Sequence, residues 1–371
     1  MRLLRLEARC FRNLADLDLE VPPEGMVLLG ANGQGKTSVL EAIGYPVLFR
    51  SFRTSVDADV VRFGESGFRV TLQFEAGARE RTVAAEFRVA GKRRRQELDG
   101  VPVPRLAEIA GQWLAVVFCP EDVRLASGPA GVRRLFLDRT LALSDTGYLR
   151  ALGRYRNALA QRNAALKQSR SDLAAAFDAP LAQAGSVVVA SRCRWIEAHR
   201  EGFTRLLIEL GEQSGEGTLE YLGHAELADP ATWVARLQRA GARDAALRTT
   251  TVGPHRDELL VKLAGRSLRE YGSTGQHRAA AIALKLLERD TIRDATGHTP
   301  ALLLDDVFAE LDRQRQERLA ARLFDGRGAQ VFLSAPRSDE LPVGLRLPVW
   351  TLDRGRVTTG AGRGAAAGDP S

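Results

Sequence analysis

The stretch GANGQGKTS, residues 30–38, constrains this chain more than any other part of it. It follows the apolar run MVLLG and precedes TSVLEAIGYPVLF, where Val39, Leu40 and Ile43 fall on one helical face, so it turns a strand into a helix. Gly30 to Thr37 fits the pattern of a glycine, four residues and then Gly-Lys-Thr. Glycines let successive backbone N–H groups turn inward on phosphate oxygens, and the following helix sets its positive N-terminus beneath them. Gly30, Ala31, Asn32, Gly33, Gln34, Gly35, Lys36, Thr37 and Ser38 are therefore expected to cradle a nucleotide, ATP with Mg²⁺. Lys36 would span the β- and γ-phosphates and take a catalytic part, and the Thr37 hydroxyl would ligate the metal.

Such a loop needs a carboxylate at the end of a neighbouring buried strand, and ALLLDD, residues 301–306, supplies it. Asp305 is the expected Mg²⁺ ligand. Asp306, turned the other way by strand alternation, would orient or deprotonate the attacking water, with capping of the next turn as the alternative.

A second glycine-bearing loop, YGSTGQHR at 271–278, precedes the helical pattern AAAIALKLLERDTIRDA. Ser273, Gly275 and Gln276 thus sit where a hydroxyl, backbone amides and a helix N-terminus make another phosphate-binding surface. One nucleotide has one γ-phosphate, and Lys36 already serves it within the chain. The arrangement that uses both loops is intermolecular, with ATP joining two subunits as a homodimer.

The remaining sequence divides around these loops. Residues 1–30 read as short strands, and 68–103 alternate around Gly77, Gly91 and Gly100 like a small antiparallel sheet. Lys92 to Arg95 fall at a turn, read as a solvated hairpin tip or a contact to a phosphate backbone. Leu149, Leu152, Leu159 and Leu166 run near heptad spacing, and Phe177, Leu181, Val188, Trp195 and Phe203 continue it beyond a polar break at 167–172. This predicts a pair of antiparallel helices, as a short arm or an ordinary helical subdomain. From about 250 the strand and helix texture returns. The expected organisation is one α/β domain in two parts, 1–140 and 246–357, split by a helical arm at 141–245, with a disordered tail at 358–371.

Composition adds a few limits. A net charge of +7, with arginine far outnumbering lysine, suits a protein that meets a polyanion, although arginine also accumulates at tolerant surface positions. Its 4 Trp and 5 Tyr are scattered and mark no platform for stacking single-stranded bases, which favours duplex contact. Cys10, Cys119 and Cys193 show no framework spacing and are read as buried thiols. No signal peptide and no membrane-length apolar run is legible, so a cytoplasmic protein with no membrane partner is expected.

The two loops together resemble the ABC-type ATPases. Ser-Thr-Gly-Gln is similar to their signature loop, and Glu310-Leu311-Asp312 to their dimer-contacting loop; Ser334 stands where many members place a histidine switch. More specifically, the chain resembles the RecF recombination mediator family. The resemblance is carried by Phe11-Arg12-Asn13-Leu14, GANGQGKTSVLEAI, Ser51-Phe52-Arg53, Cys119-Pro120-Glu121-Asp122, RRLFLDRTL at 133–141, Val252-Gly253-Pro254-His255-Arg256-Asp257, YGSTGQHR and LLLDDVFAELD.

That resemblance implies an ABC-type P-loop ATPase head, split by a short coiled-coil-like arm, that acts as an ATP-dependent DNA clamp in replication-gap repair and the SOS response. It implies RecR- and RecO-type partners and a weak, DNA-dependent ATPase used as a switch. Related transport and chromosome ATPases usually carry Glu at the position of Asp306, and the shorter side chain predicts slow hydrolysis. Arg12 either approaches the nucleotide or is a plain surface arginine, and His255 and Arg256 either join DNA or nucleotide or brace a hairpin. A transporter subunit fits poorly with the long segment between the loops, and a chromosome-organising or nuclease-associated SMC-like ATPase needs a longer arm or a hook. A binding module with a vestigial ATP site remains the third alternative.

Overall fold

The computed structural model describes residues 1–212, 215–309, 311–324 and 328–359. In chain order the first segment holds β1 (Arg2–Arg9), β2 (Leu17–Glu20), β3 (Gly25–Leu29), α1 (Lys36–Leu48), β4 (Gly67–Ala76), β5 (Arg79–Arg88), β6 (Arg93–Leu98), β7 (Val101–Pro102) and β8 (Ala115–Phe118). The central segment holds α2 (Ala130–Ser144), α3 (Thr146–Lys167), α4 (Asp178–Glu209), β9 (Gly217–Leu222), α5 (Pro230–Leu247), β10 (Glu258–Leu263), β11 (Arg266–Ser267) and α6 (Thr274–Thr296). The last holds β12 (Ala301–Asp305), α7 (Arg313–Leu323), β13 (Val331–Ala335), β14 (Val349–Asp353) and β15 (Arg356–Thr359). These form two compact units, 1–120 with 298–371, and 121–297.

In the first unit one sheet runs β15-β14-β3-β13-β12-β8 and the other β2-β1-β4-β5-β6-β7. β14, β3, β13, β12 and β8 are parallel, and β15 is an antiparallel edge. The parallel strands MVLL, VFLSA and ALLLD are buried along almost their whole length, as strands covered on both faces must be. α1 packs on β12, β13 and β8 from one sheet and on β4 and β5 from the other. It is consequently buried on all sides, including at Pro46, where the sequence predicted a single apolar face. Register puts Leu28 beside Ser334 and Asp305 beside Ser334, so the carboxyl ends of β3, β13 and β12 finish together. In open α/β sheets that edge is where ligands bind.

The second sheet is antiparallel throughout, and Arg93–Arg95 lie in its strand β6 with Lys92 in the preceding turn. Arg94 pairs with Asp57 and Arg95 with Glu97, which takes two of these cations out of the hairpin-tip reading.

The second unit is wider at both ends than the expected 141–245. α6 packs on α2 and α4, and β10 pairs with β9 and β11 instead of joining the strands of the first unit. α3 and α4 pack together on either side of the polar break. Their seam differs from the leucine heptads in one respect. Tyr148, Leu152, Tyr155 and Arg162 are buried on α3, while Leu149 and Leu159 are half-buried. Polar groups hold that seam. Arg162 donates to Asp178 (2.8 Å), Asp244 (2.7 Å) and Thr250 (2.9 Å), and Asp138 accepts from Tyr148 (2.6 Å) and Arg192 (2.7 Å). One window of Ser171–Glu209 reaches a mean hydropathy of 1.4, long and apolar enough to cross a membrane by composition, contrary to the sequence reading. Half of that window is buried inside the protein, as in a packed core helix.

Cys10, Cys119 and Cys193 are half-buried, not fully buried as expected, and form no disulfide among the described residues. β15 carries the ordered chain past the expected end at 357; Glu310 and residues 360–371, with most of the expected tail, lie outside the described residues.

Candidate nucleotide-binding site

The loop after β3 is held open by its glycines. Gly33 and Gly35 have φ of 82° and 111°, left-handed values that other residues adopt at a cost. A Cβ on Gly35 would also sit 2.9 Å from Leu14 Cδ2. Asn13 fixes the loop from outside: its Nδ2 donates to Gly33 O (2.9 Å), and its Oδ1 accepts from Ser38 Oγ (2.8 Å). Gln34 is held from the other side, its Oε1 accepting from Arg354 N (2.6 Å) and its carbonyl from Gly355 N (2.9 Å).

Loop and helix open into a cleft of about 630 Å³ lined by Asn13, Asn32, Gly33, Gly35, Lys36, Thr37, Ser38 and Asp306, with Arg12, Arg53, Asp59, Val61, Arg62 and Phe63. Seven of these are not among the residues singled out by the sequence for nucleotide binding: Asn13, Arg53, Asp59, Val61, Arg62 and Phe63 had no assigned role, and Asp306 was expected as a catalytic group. Gly30, Ala31 and Gln34 do not line the cleft. Gly30 and Ala31 instead present carbonyls to the Lys36 ammonium, at 2.6 and 3.3 Å. Lys36 is only 4% exposed, so its ammonium needs oxygen acceptors, and phosphate oxygens are of the same kind.

At the end of β12 the Thr37 hydroxyl donates to Asp305 Oδ1 (2.8 Å). Ser334 Oγ lies 2.8 Å from the same oxygen and 3.2 Å from Asp306 Oδ1. Its single proton serves one carboxylate at a time, and the nearer is Asp305. The Asp306 N–H donates back to Ser334 Oγ (3.0 Å), so the serine ties the two aspartates together. Asp306 lies beyond the strand, with φ of 47°. Its direction is set by this left-handed turn and not by the strand alternation assumed from sequence. Thr37 and Asp305 bring two hard oxygen donors to one point, a donor set that suits Mg²⁺ completed by phosphate and water oxygens.

Arg12 lines the cleft beside the phosphate loop and is paired, not a plain surface arginine. Its guanidinium donates to both oxygens of Glu41 (2.8 and 2.7 Å) and to Asp59 O (2.6 Å), which makes it a wall of the cleft. Glu41, on α1, is fully buried and also accepts from Ser51 Oγ (2.5 Å), with Arg53 at 3.6 Å. Phe-Arg-Asn and Ser-Phe-Arg therefore meet at this carboxylate, a convergence for which the sequence offered only the unusual motifs.

Within the second unit, Ser273 is the N-cap of α6 and forms a capping box with Gln276. The Gln276 N–H donates to Ser273 Oγ (3.3 Å), and the Ser273 N–H to Gln276 Oε1 (2.9 Å). Gln276 therefore lies inside the helix, not before it, as does Gly275. His255 is bonded through both ring nitrogens, not to a hairpin but to α3 and its own loop: Nδ1 lies 2.5 Å from Tyr155 OH and Nε2 3.0 Å from Thr250 O, and burial lowers its pKa. Arg256 donates to the same carbonyl at 3.4 Å.

No protein-family model matches the chain. It is 38% identical over 348 residues to the DNA replication and repair protein RecF of Anaeromyxobacter sp. (strain Fw109-5), covering 90% of this chain and 92% of that protein. Among solved structures, that of the recombination mediator protein RecF with ATP in the RecFOR pathway matches with a TM-score of 0.88 at 28% identity, over 97% of this chain and 98% of that one. An Smc head bound to the C-terminal winged-helix domain of ScpA matches with a TM-score of 0.56 at 16% identity, over 96% of each chain, which shows the shared head fold alone.

Proposed function

Since the chain belongs to the RecF family of DNA replication and repair proteins, we propose that it is an ATP-dependent DNA clamp whose subunits join on ATP and separate on hydrolysis. The observation that carries this reading is the meeting of Thr37, Asp305, Asp306 and Ser334 beside a buried Lys36 at the carboxyl ends of parallel strands. Gly30 to Ser38 would receive the phosphates, with Lys36 exchanging loop carbonyls for β- and γ-phosphate oxygens. Thr37 and Asp305 would hold Mg²⁺, which when bound neutralises phosphate charge. Asp306 would orient the attacking water and take its proton, with Ser334 fixing the carboxylate. The short reach of Asp306 makes the enzyme a slow ATPase, a timer for release more than a motor.

The loop at Ser273 to Gln276 would close over the nucleotide of a second subunit. Its capping box satisfies two donors of α6 and leaves other first-turn N–H groups to face a γ-phosphate. The net charge of +7 would serve contact with the DNA backbone, duplex in the main. Solved relatives are described as mediators of the RecFOR pathway. RecR- and RecO-type proteins are accordingly the proposed partners, gap repair and the SOS response the setting, the cytoplasm the place, and the packed helices α3 and α4 the short arm.

Sedimentation velocity at low micromolar protein, with and without ATP and Mg²⁺, tests the reading. Wild type should become a dimer on ATP. Ser273→Asp keeps a good helix cap but sets a carboxylate against the γ-phosphate, so it should bind ATP and stay monomeric. A wild type that remains monomeric with saturating ATP would sink the clamp mechanism.

A further inference from the structure

β14 runs parallel to β3 with Thr351 beside Leu29, so the turn that follows β14 arrives at the loop that follows β3. Asp353 pairs with Arg356, which leaves Arg354 and Gly355 as the two residues of the hairpin turn, with φ of 46° and 76°. Two left-handed residues make the tight turn that matches the twist of a hairpin, and arginine adopts the first of them at a cost. This turn gives three backbone groups to the segments that bound the cleft. The Arg354 N–H donates to Gln34 Oε1 (2.6 Å), the Gly355 N–H to Gln34 O (2.9 Å), and Gly355 O accepts from Ala15 N (2.9 Å). The approach is close enough to require glycine, since a Cβ on Gly355 would lie 2.1 Å from Asn13 O. Asn13 in turn holds Gly33 O, so the hairpin turn, the phosphate loop and segment 13–15 close a ring of hydrogen bonds.

A planar trans peptide points its C=O and its N–H in opposite directions. With the Gln34 carbonyl turned to Gly355, the N–H of the same peptide, which belongs to Gly35, faces away from the hairpin, and Gly35 lines the cleft while Gln34 does not. We propose that the Arg354–Gly355 turn is a clasp that positions the phosphate loop: by holding both the side chain and the carbonyl of Gln34 it sets the Gly35 N–H toward a phosphate oxygen. Gln34 is then a positioning residue, whose side chain serves the clasp and touches no ligand. This rests on the nucleotide reading and adds to it a part of the fold that acts on the site from outside. The coupling is reciprocal, so if a closed clasp favours bound phosphate, bound phosphate favours the closed clasp by the same factor.

The test is calorimetric titration of wild type, Gln34→Met and Arg354→Asn with ATP and with inorganic tripolyphosphate, each with Mg²⁺, alongside urea unfolding. Gln34→Met keeps the length of the side chain and removes the acceptor for Arg354 N, whereas a change at Gly355 would also displace Asn13. Loss of that one hydrogen bond should raise the Kd for ATP and tripolyphosphate alike by roughly 2- to 10-fold, with the urea midpoint nearly unchanged. Arg354→Asn keeps the N–H and supplies the Asn-Gly pair that such a turn prefers, so it should bind both ligands at least as tightly as wild type. Hydrogen exchange gives a readout that a merely structural bond would not move: in wild type, tripolyphosphate should slow exchange of the Arg354 and Gly355 amides. Unchanged affinity in Gln34→Met, a loss for ATP alone, an equal loss in Arg354→Asn, or exchange at 354–355 indifferent to tripolyphosphate would each overturn the clasp while leaving the phosphate site intact. Failure of wild type to bind ATP at all would overturn the nucleotide reading, and this inference with it.

Discussion

Replacing Glu41 with Gln keeps the shape of the side chain and removes its charge. Glu41 is fully buried on α1 and holds Arg12 through bonds of 2.7 and 2.8 Å, while the Arg12 side chain keeps 17% of its surface in solvent. Removing one partner of a buried pair costs about 3–5 kcal/mol, because the other charge is left uncompensated. Partial hydration of Arg12 puts the expected loss at the lower end, about 3 kcal/mol. Native-state hydrogen exchange of the α1 amides, alongside urea unfolding, would read it locally and globally. Arg12→Met should cost a similar amount, and Arg12→Met with Glu41→Leu should recover most of the loss, since an apolar pair of similar volume replaces a buried ion pair nearly neutrally. If Glu41→Gln costs under about 1 kcal/mol, or the double variant loses the sum of the single losses, the carboxylate does not organise the cleft. ATP titration of the double variant separates two roles for Arg12. Affinity that returns with stability marks a residue that shapes the cleft; affinity that stays lost marks a direct ligand.

Two further outcomes follow from the same geometry. Asp305→Asn leaves the hydrogen bonds from Thr37 and Ser334 in place but removes the charge that suits a cation, so titrations with and without Mg²⁺ should show the metal enhancement of ATP binding falling at least about tenfold, with little change in the urea midpoint. In the second unit, burial lowers the pKa of His255 from its usual 6.5, with Arg256 and Arg134 adding to the effect and Asp244 opposing it. The neutral form is therefore favoured in the fold, its contribution to stability is complete above pH 6.5, and it is lost as pH falls below that value toward the lowered pKa. Urea unfolding from pH 7.5 to 5 should show this decline, and His255→Gln should flatten it; a slope unchanged in the variant would assign the titration elsewhere.

What the sequence revealed was mostly local. MVLLG, the glycine loop and the apolar helix behind it lie within a few dozen residues, and each element's pattern fixes its own backbone. ALLLDD was legible because an apolar run ending in aspartates admits few placements in an α/β sheet. Pairings across the chain were not legible. The carboxylate that binds Arg12 lies on α1, and Gln34 is held by the turn at 354–355. The α3 seam escaped for another reason: counting apolar heptads passes over Tyr148, Tyr155 and Arg162, which repeat at the same spacing but are buried through partners on other elements. Asp306 escaped because a left-handed residue after a strand end does not follow the alternation of the strand.

The loop at Ser273 shows how a motif proposed for phosphate binding also serves the helix that it begins. A serine followed three residues later by glutamine is what a helix N-terminus needs for its own sake, and the reciprocal bonds between Ser273 and Gln276 meet that need within one turn. Neither side chain is then free to act chiefly as a phosphate ligand while the box is closed. The cap nevertheless fixes the direction of α6, and with it the first-turn N–H groups that helix geometry leaves without intrahelical acceptors. Anion binding at such an end relies on those amides and on the helix dipole more than on the capping hydroxyl. If the proposed ATP-dependent dimer forms through this loop, dimerisation should survive substitutions that keep a neutral cap, such as Ser273→Asn, and fail when a carboxylate takes the cap position.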